Sequence, residues 1–327
     1  MQYCEYPWAP LGRLTRELAE TMKQIERITL IYNPTAGTLR RDPSIIHRLV
    51  AALETHQLTV TLAPTKRAHH ATELARVAVR AQADCVLVCG GDGTINEAAQ
   101  ALIGTDTALA IWPGGTANVL AKELQLPNDP AALAALIAQQ QVRAISVGRA
   151  IKAAGKQNEE WERYFLVMAG IGLDATIVQN VDLKLKKRLG TGAYLAAGLQ
   201  FLARLPLTPF SITFNGQRHA STFAVISNAA NYAAIFSLTP DARLTDDRFK
   251  VCLFNSQSRL AYLGYALLST AGQHVHTSGV TYDAAQSISA NSNDAALVQL
   301  DGEVVGHLPM RFENVPAALR VVAPPQA

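Results

Sequence analysis

Three short stretches hold the residues best suited to chemistry: "YNPTAG" (32–37), "GGDGTINE" (90–97) and "PGGTAN" (113–118). Each follows an apolar run and leads towards a helical pattern. Glycines at such junctions let backbone N–H groups come close to an oxyanion, and the N-terminus of the following helix adds a favourable dipole. Thr94 and Thr116 add hydroxyl donors. Asp92 is the informative residue, because a carboxylate repels phosphate. It makes sense if a Mg²⁺ lies between the two charges, or if Asp92 handles a substrate proton. One glycine turn is ordinary; three on one edge, one of them enclosing an aspartate, point to a nucleotide or phosphate site. Neither the Walker spacing G-x-x-x-x-G-K-[ST] nor the Rossmann G-x-G-x-x-G is present, so P-loop and dinucleotide readings both fall.

The elements that must position these turns alternate regularly. "ITLIYN" reads as a strand, 43–56 as a helix, "LTVTLA" as a strand, 68–82 as a helix and "DCVLVC" as a strand. The pattern continues with a helix at 94–103, the strand "ALAIWP", and helices at 116–124 and 129–140. Strands apolar throughout, separated by helices, predict a parallel sheet covered on both faces. Right-handed crossovers then put every strand-to-helix turn on one edge, where such sheets bind ligands.

After about residue 142 short β-type runs dominate: "RAISVGRAI", "RYFLVMAG", "PFSITFNG", "TFAVISNA", "RFKVCLF", "GVTYDAAQSIS" and "ALVQLDGE". Asn-Gly and Asp-Gly turns punctuate them, as antiparallel strands require. Helices are expected near 191–204 and 258–271, and a surface hairpin loop at "KAAGKQNEEWER". The predicted fold is α/β: an N-terminal doubly wound parallel-sheet nucleotide domain (27–143), followed by a C-terminal antiparallel β-sandwich domain (144–308). The last strand, within 309–327, is expected to return to the first domain. Residues 1–26 form a helical extension, with Leu11, Leu14, Leu18, Met22 and Ile25 at helical spacing. Its simplest role is to pack onto the domain or onto a second copy of the chain, which leaves a homodimer open.

Of the 327 residues, 49% are hydrophobic and 17% charged, so a sizeable core is expected and wholesale disorder is not. A net charge of +3, with no basic face interleaved with aromatics, gives no reason to expect nucleic acid. Cys4, Cys85, Cys89 and Cys252 lack metal-ligand spacing and read as core residues of a reducing compartment. The N-terminus lacks a signal-peptide pattern, and no apolar run reaches membrane-spanning length. His69, His70, His274 and His276 lack sequence-adjacent Cys or acidic partners.

The ordered set of motifs resembles the diacylglycerol kinase and sphingosine kinase type of soluble lipid kinases, from about Ile28 to Pro324. It comprises the three glycine turns, with "PGGTAN" extending to "PGGTANVLAKEL", then "AGIGLDA" (169–175), "PDARLTDDRF" (240–249) and "LDGE" (300–303). "GGDGT" alone is shared with NAD kinases. The resemblance implies a lipid cleft between the two domains and Mg²⁺-dependent transfer of the ATP γ-phosphoryl group to a lipid hydroxyl, of diacylglycerol or long-chain-base type. It implies a cytoplasmic enzyme that meets the membrane surface peripherally.

By that resemblance Asn33, Pro34, Thr35, Ala36, Gly37, Thr65, Gly91, Asp92, Gly93, Thr94, Ile95, Asn96, Glu97 and Thr116 would hold the nucleotide. Asp92 would lie closest to the transferring phosphoryl and its Mg²⁺. Glu303 would be the general base, with Asp92 its rival; read without the resemblance, Glu303 is an exposed hairpin glutamate. Asp246, with the carbonyls of Arg243 and Arg248, would bind a structural Mg²⁺; a solvated acidic turn is the other reading. Members of the family often carry Lys, Asp and Asp where this chain has Thr38, Val119 and Ser146, which leaves the lipid open. The basic and amphipathic stretch 183–206 reads either as a membrane-docking segment or as a cleft wall. Rival functions are a NAD kinase-like enzyme and a lipid-binding regulator that has lost turnover.

Overall fold

The computed structural model describes residues 24–152, 161–173, 175–176, 207–230 and 237–325. The expected N-terminal helix lies almost wholly outside them. So do the loop after Lys152, the stretch 183–206 and the helix expected near 191–204.

The first half alternates as its apolar runs dictate. It runs β1 (Arg27–Tyr32), α1 (Gly37–Arg41), α2 (Ile45–Glu54), β2 (Thr59–Pro64), α3 (His70–Arg80), β3 (Cys85–Gly90), α4 (Asp92–Leu102), β4 (Ala108–Pro113), α5 (Val119–Glu123) and α6 (Pro130–Ala138). These four strands pair in parallel in the order β2-β1-β3-β4. Every residue of β3 is buried, as an apolar run between two helical layers requires. One face packs on α3 and α4 through Ala71, Ala75, Ile95 and Ala99. The other packs on α2 and α6 through Leu49, Leu53, Leu133 and Ile137. Cys85 and Cys89 are core residues, and burial pushes both thiols up to about 12, so they are inert.

Local chemistry sets the helix ends. At α6, Asp129 accepts from Ala132 N at 2.8 Å and Pro130 occupies the first helical position. The helix expected over 116–124 begins only at Val119, because Asn118 is left-handed (φ 49°). Conversely, α4 starts at Asp92, two residues before the apolar period announces it.

The second half supplies β5 (Val142–Lys152), β6 (Trp161–Phe165), β7 (Met168–Gly172), β8 (Phe210–Phe214), β9 (Gln217–Ser221), β10 (Phe223–Ser227), β11 (Phe249–Phe254), α7 (Arg259–Ser269), β12 (Val280–Ala285), β13 (Ser287–Asn291), β14 (Leu297–Leu300), β15 (Glu303–His307) and β16 (Met310–Val322). One antiparallel sheet has the order β12-β11-β10-β7-β14-β15. Its inner face meets β8, β13 and β16 across a sandwich core that includes Ile171, Ile226, Phe249, Ile212, Ile288 and Phe312. "RYFLVMAG" and "GVTYDAAQSIS" each divide into two strands. β9 is too polar to announce itself, and β15 offers only two valines beside its turn.

The two halves share a sheet. β16 pairs parallel with β4 through Val321 and Leu109, and antiparallel with β13 and β5. At roughly 3.3 Å per residue its 13 residues span about 43 Å, enough to cross both units. Its register against β5 shifts between Val315 and Leu319, where Ala317 is left-handed (φ 50°).

Candidate active site

Because β1, β3 and β4 are parallel neighbours, the loops leaving their carboxyl ends share one rim. Backbone bonds stitch it: Asn33 N to Cys89 O (3.0 Å), Thr65 N to Tyr32 O (2.8 Å), Gly114 N to Gly90 O (2.8 Å) and Thr38 N to Gly114 O (3.3 Å). The three glycine turns and Thr65 therefore converge. A Cβ on Gly115 would stand 2.7 Å from Gly91 Cα and 2.9 Å from Asn118 Oδ1, so these glycines let the second and third turns touch. A Cβ on Gly93 or Gly37 would meet nothing within 4 Å. Those two positions face open space, with room for an anion against the backbone.

Asp92 joins the same two turns. Its Oδ2 accepts from Asn118 N at 2.9 Å and its Oδ1 from Val119 N at 2.7 Å. It is thus the first residue of α4 and the acceptor for the amides opening α5, so one side chain ties the two turns together. Asn118 closes its own turn, accepting from Gly115 N at 2.8 Å and donating to Gly115 O at 3.0 Å.

Around this rim the remaining nucleotide candidates divide into two groups. Pro34, Thr35, Gly37, Gly93 and Thr116 are exposed. Thr35 is folded onto Asn33 Oδ1, which accepts from its N (2.9 Å) and its Oγ1 (2.8 Å). Ala36 is half-buried, with its amide on Asn33 O. Thr94 lies back over Gly90. Ile95 is in the core. The side chains of Asn96 and Glu97 turn towards protein: Glu97 Oε2 accepts from Ala71 N at 3.3 Å, and Asn96 Nδ2 donates to Asp301 Oδ2 at 2.7 Å.

That last bond carries α4 into the second unit. Asp301 and Gly302 are both left-handed (φ 48° and 85°), as a two-residue hairpin between β14 and β15 demands. The Asp301 carboxylate is enclosed and accepts from Leu166 N (2.7 Å), Val167 N (2.9 Å) and Met168 N (3.0 Å) besides Asn96. Burial pushes its carboxyl up from the ordinary range, against the pull of those four donors. Gln100 fastens β6 to α4 in the same region: Tyr164 N donates to Gln100 Oε1 at 3.0 Å, and Gln100 Nε2 to Tyr164 O at 2.9 Å.

Glu303 follows this hairpin and sits half-exposed, linked through Arg163 to Asn96 of α4. Its Oε2 accepts from Arg163 Nη2 at 2.6 Å. The Arg163 hydrogen bond holds its carboxyl below the usual carboxylate range, and the charge of His69 acts in the same direction. Asn96, Gln100, Arg163 and Asp301 form a network that motif reading does not find. "LDGE" signals only a turn at Asp301, and nothing in the local text marks Arg163.

The second-domain loop is closed by its own bonds: Arg243 N donates to Asp246 Oδ2 at 3.1 Å, and Asp246 N to Arg243 O at 3.0 Å. Among the described residues no three His, Cys, Asp or Glu side chains are grouped to hold a metal ion. A divalent ion held by one carboxylate and backbone carbonyls would complete its shell with waters or phosphate oxygens, the usual habit of Mg²⁺.

An α/β unit with an anion-ready rim, fused to a β-sandwich that brings an acidic hairpin beside it, defines a two-unit class of kinase fold. Residues 27–150 match the diacylglycerol kinase catalytic domain, and residues 167–323 match the YegS C-terminal NAD kinase beta sandwich-like domain. The chain belongs to this diacylglycerol kinase family and is a kinase, which implies nucleotide use. It is 28% identical over 305 residues to a diacylglycerol kinase of Bacillus subtilis (strain 168), covering 92% of this chain and 97% of that one. Identity to a diacylglycerol kinase of Mycobacterium tuberculosis (strain ATCC 25618 / H37Rv) is also 28%, over 92% and 96% of the two chains. A crystal structure of a diacylglycerol kinase from Bacillus anthracis str. Sterne superposes with a TM-score of 0.72 at 24% identity, over 93% and 99% of the chains. Yeast NADH kinase shares the fold alone, with a TM-score of 0.53 at 10% identity over 93% and 85%.

Proposed function

We propose that this protein transfers the γ-phosphoryl group of ATP to the hydroxyl of a membrane lipid, of diacylglycerol or long-chain-base type. The observation that carries the reading is the meeting of two features. Gly37 and Gly93 leave backbone open at the rim, and the half-exposed Glu303 is tied through Arg163 to Asn96 of the helix that Asp92 opens. Asn33 to Gly37, Thr65, Gly91 to Thr94 and Thr116 would take the polyphosphate, largely through backbone amides. Catalysis would then rest on positioning and electrostatics. Mg²⁺, arriving with the nucleotide, would neutralise phosphate charge.

Glu303 is the base in this reading. An alcohol loses its proton only as the phosphoryl group arrives, so the base must be well placed rather than strong. Asp92, with both oxygens accepting amides, serves by fixing the two turns. Its acceptor being water-insoluble, the enzyme would work against a membrane surface. Among the described residues no helix is long and apolar enough to cross one.

The test is transfer of labelled phosphate from ATP to diacylglycerol or a sphingoid base in mixed micelles, with NAD as a lipid-free arm. Lipid product is expected, with Glu303→Gln lowering kcat by about 10²- to 10⁴-fold. Phosphorylation of NAD alone, or lipid binding with no ATP consumed, would overturn the reading.

A further inference from the structure

Glu303 is paired with Arg163, and that arginine is tightly built in. Arg163 lies on β6 next to Tyr164, whose backbone is pinned at both N and O by Gln100. Its side chain is only 18% exposed, against 53% for Glu303, so the guanidinium lies in a slot between α4 and the β15 hairpin. From there Nη2 reaches Glu303 Oε2 at 2.6 Å and Asn96 Oδ1 at 3.5 Å. The neighbouring acids are committed elsewhere: Asp301 to the amides of residues 166–168, and Glu97 to Ala71 N. His69, at the start of α3, is the other charge that bears on Glu303.

We propose that Arg163 is a positioning residue for Glu303, holding one carboxylate oxygen so that the other is aimed at the acceptor hydroxyl. The inference rests on Glu303 being the base. A half-exposed ion pair contributes little to stability and spends the rotamer freedom of two long side chains. Its value here lies in orientation. With Oε2 held by Arg163, Oε1 is left to meet the hydroxyl. The guanidinium also keeps the carboxylate ionised at lower pH than an unpaired glutamate. Because Arg163 touches Asn96 as well, the base is held in register with the helix that begins at the glycine turn.

The experiment compares Arg163→Met, Arg163→Lys, His69→Asn and Glu303→Gln in the micelle assay, with kcat measured against pH and thermal midpoints alongside. Arg163→Met is expected to lower kcat by about 10- to 100-fold with KM for ATP little changed. The acid limb of its profile should move to higher pH, since the lost partner lets Glu303 regain a proton sooner. Arg163→Lys, which restores charge without the planar fork, should return the limb and only part of kcat. His69→Asn should move the limb less than Arg163→Met does, assigning the larger part to the Arg163–Glu303 pair; an equal or larger movement would give that role to His69 instead. Wild-type kcat and pH profile in Arg163→Met, with Glu303→Gln inactive, would remove Arg163 and leave Glu303 as the base. An active Glu303→Gln would remove both. Should Arg163→Met fail to fold, Arg163→Lys still decides: full wild-type kcat in it would show that the fork geometry is idle.

Discussion

Among the glycines of the rim, two kinds of necessity can be told apart by what a methyl group would meet. At Gly115 it would strike Gly91 Cα at 2.7 Å, a backbone atom that cannot step aside. At Gly93 it would meet nothing within 4 Å, and the residue lies in the first turn of α4 with ordinary helical backbone. Gly115→Ala should therefore destabilise the fold by about 1–3 kcal/mol by forcing the two turns apart. Gly93→Ala should be neutral, or stabilise by about 0.5–1 kcal/mol as glycine leaves a helix. If the space above Gly93 is where phosphate lies, the same methyl should weaken ATP binding at least tenfold. Urea denaturation and ATP titration calorimetry on both variants check this. Undiminished affinity in a well-folded Gly93→Ala protein would show that the turn has no ligand to receive.

At the scale of elements, the decisive junction is α4 against the β14–β15 hairpin. Asp301 accepts four hydrogen bonds, three from successive amides and one from Asn96. Asp301→Ala would leave those donors without their acceptor in a buried place, a loss of about 2–4 kcal/mol. Equilibrium urea unfolding should show it, and a change under about 0.5 kcal/mol would mean the hairpin is not anchored there. This junction also marks where sequence reading stops. The rim was legible because each of its turns is local: an apolar strand, a glycine and a helix start lie within ten positions of one another. The sandwich was legible in outline, since alternation and Asn-Gly or Asp-Gly turns announce strands. Asn96 and Asp301 stand 205 positions apart, and neither one's text names the other. Arg163 reads as one more basic residue in a polar hairpin until β5, β6 and α4 fold around it. Glu303 was reachable only through its resemblance to a family motif.

For the whole molecule, β16 decides whether two domains behave as two. Leu319 and Val321 lie in the core beneath α3 and α4, Val322 in the core beneath α2 and α6, and Met310 and Phe312 in the sandwich. Each such side chain contributes about 1.5–3 kcal/mol by its burial, so neither unit can melt without stripping several of them from the other's framework. Leu166, Val167 and Met168, just before or at the start of β7, pack in the same core as the α3 and α4 side chains, which removes a dry boundary between the units. Unfolding should therefore be a single transition. Tryptophan supplies a probe for each side: Trp112 is buried in β4, and Trp161 begins β6. In a Trp8→Phe background, Trp161→Phe leaves Trp112 to report on the parallel sheet, and Trp112→Phe leaves Trp161 to report on the sandwich. Their urea midpoints should coincide with each other and with far-UV circular dichroism, the signature of one cooperative unit. An earlier midpoint for Trp161 would mean that β16 holds the first unit without the second. The Arg163–Glu303 pair would then be lost before the rim, because the pair depends on β6 and β15 while the rim depends on β1, β3 and β4.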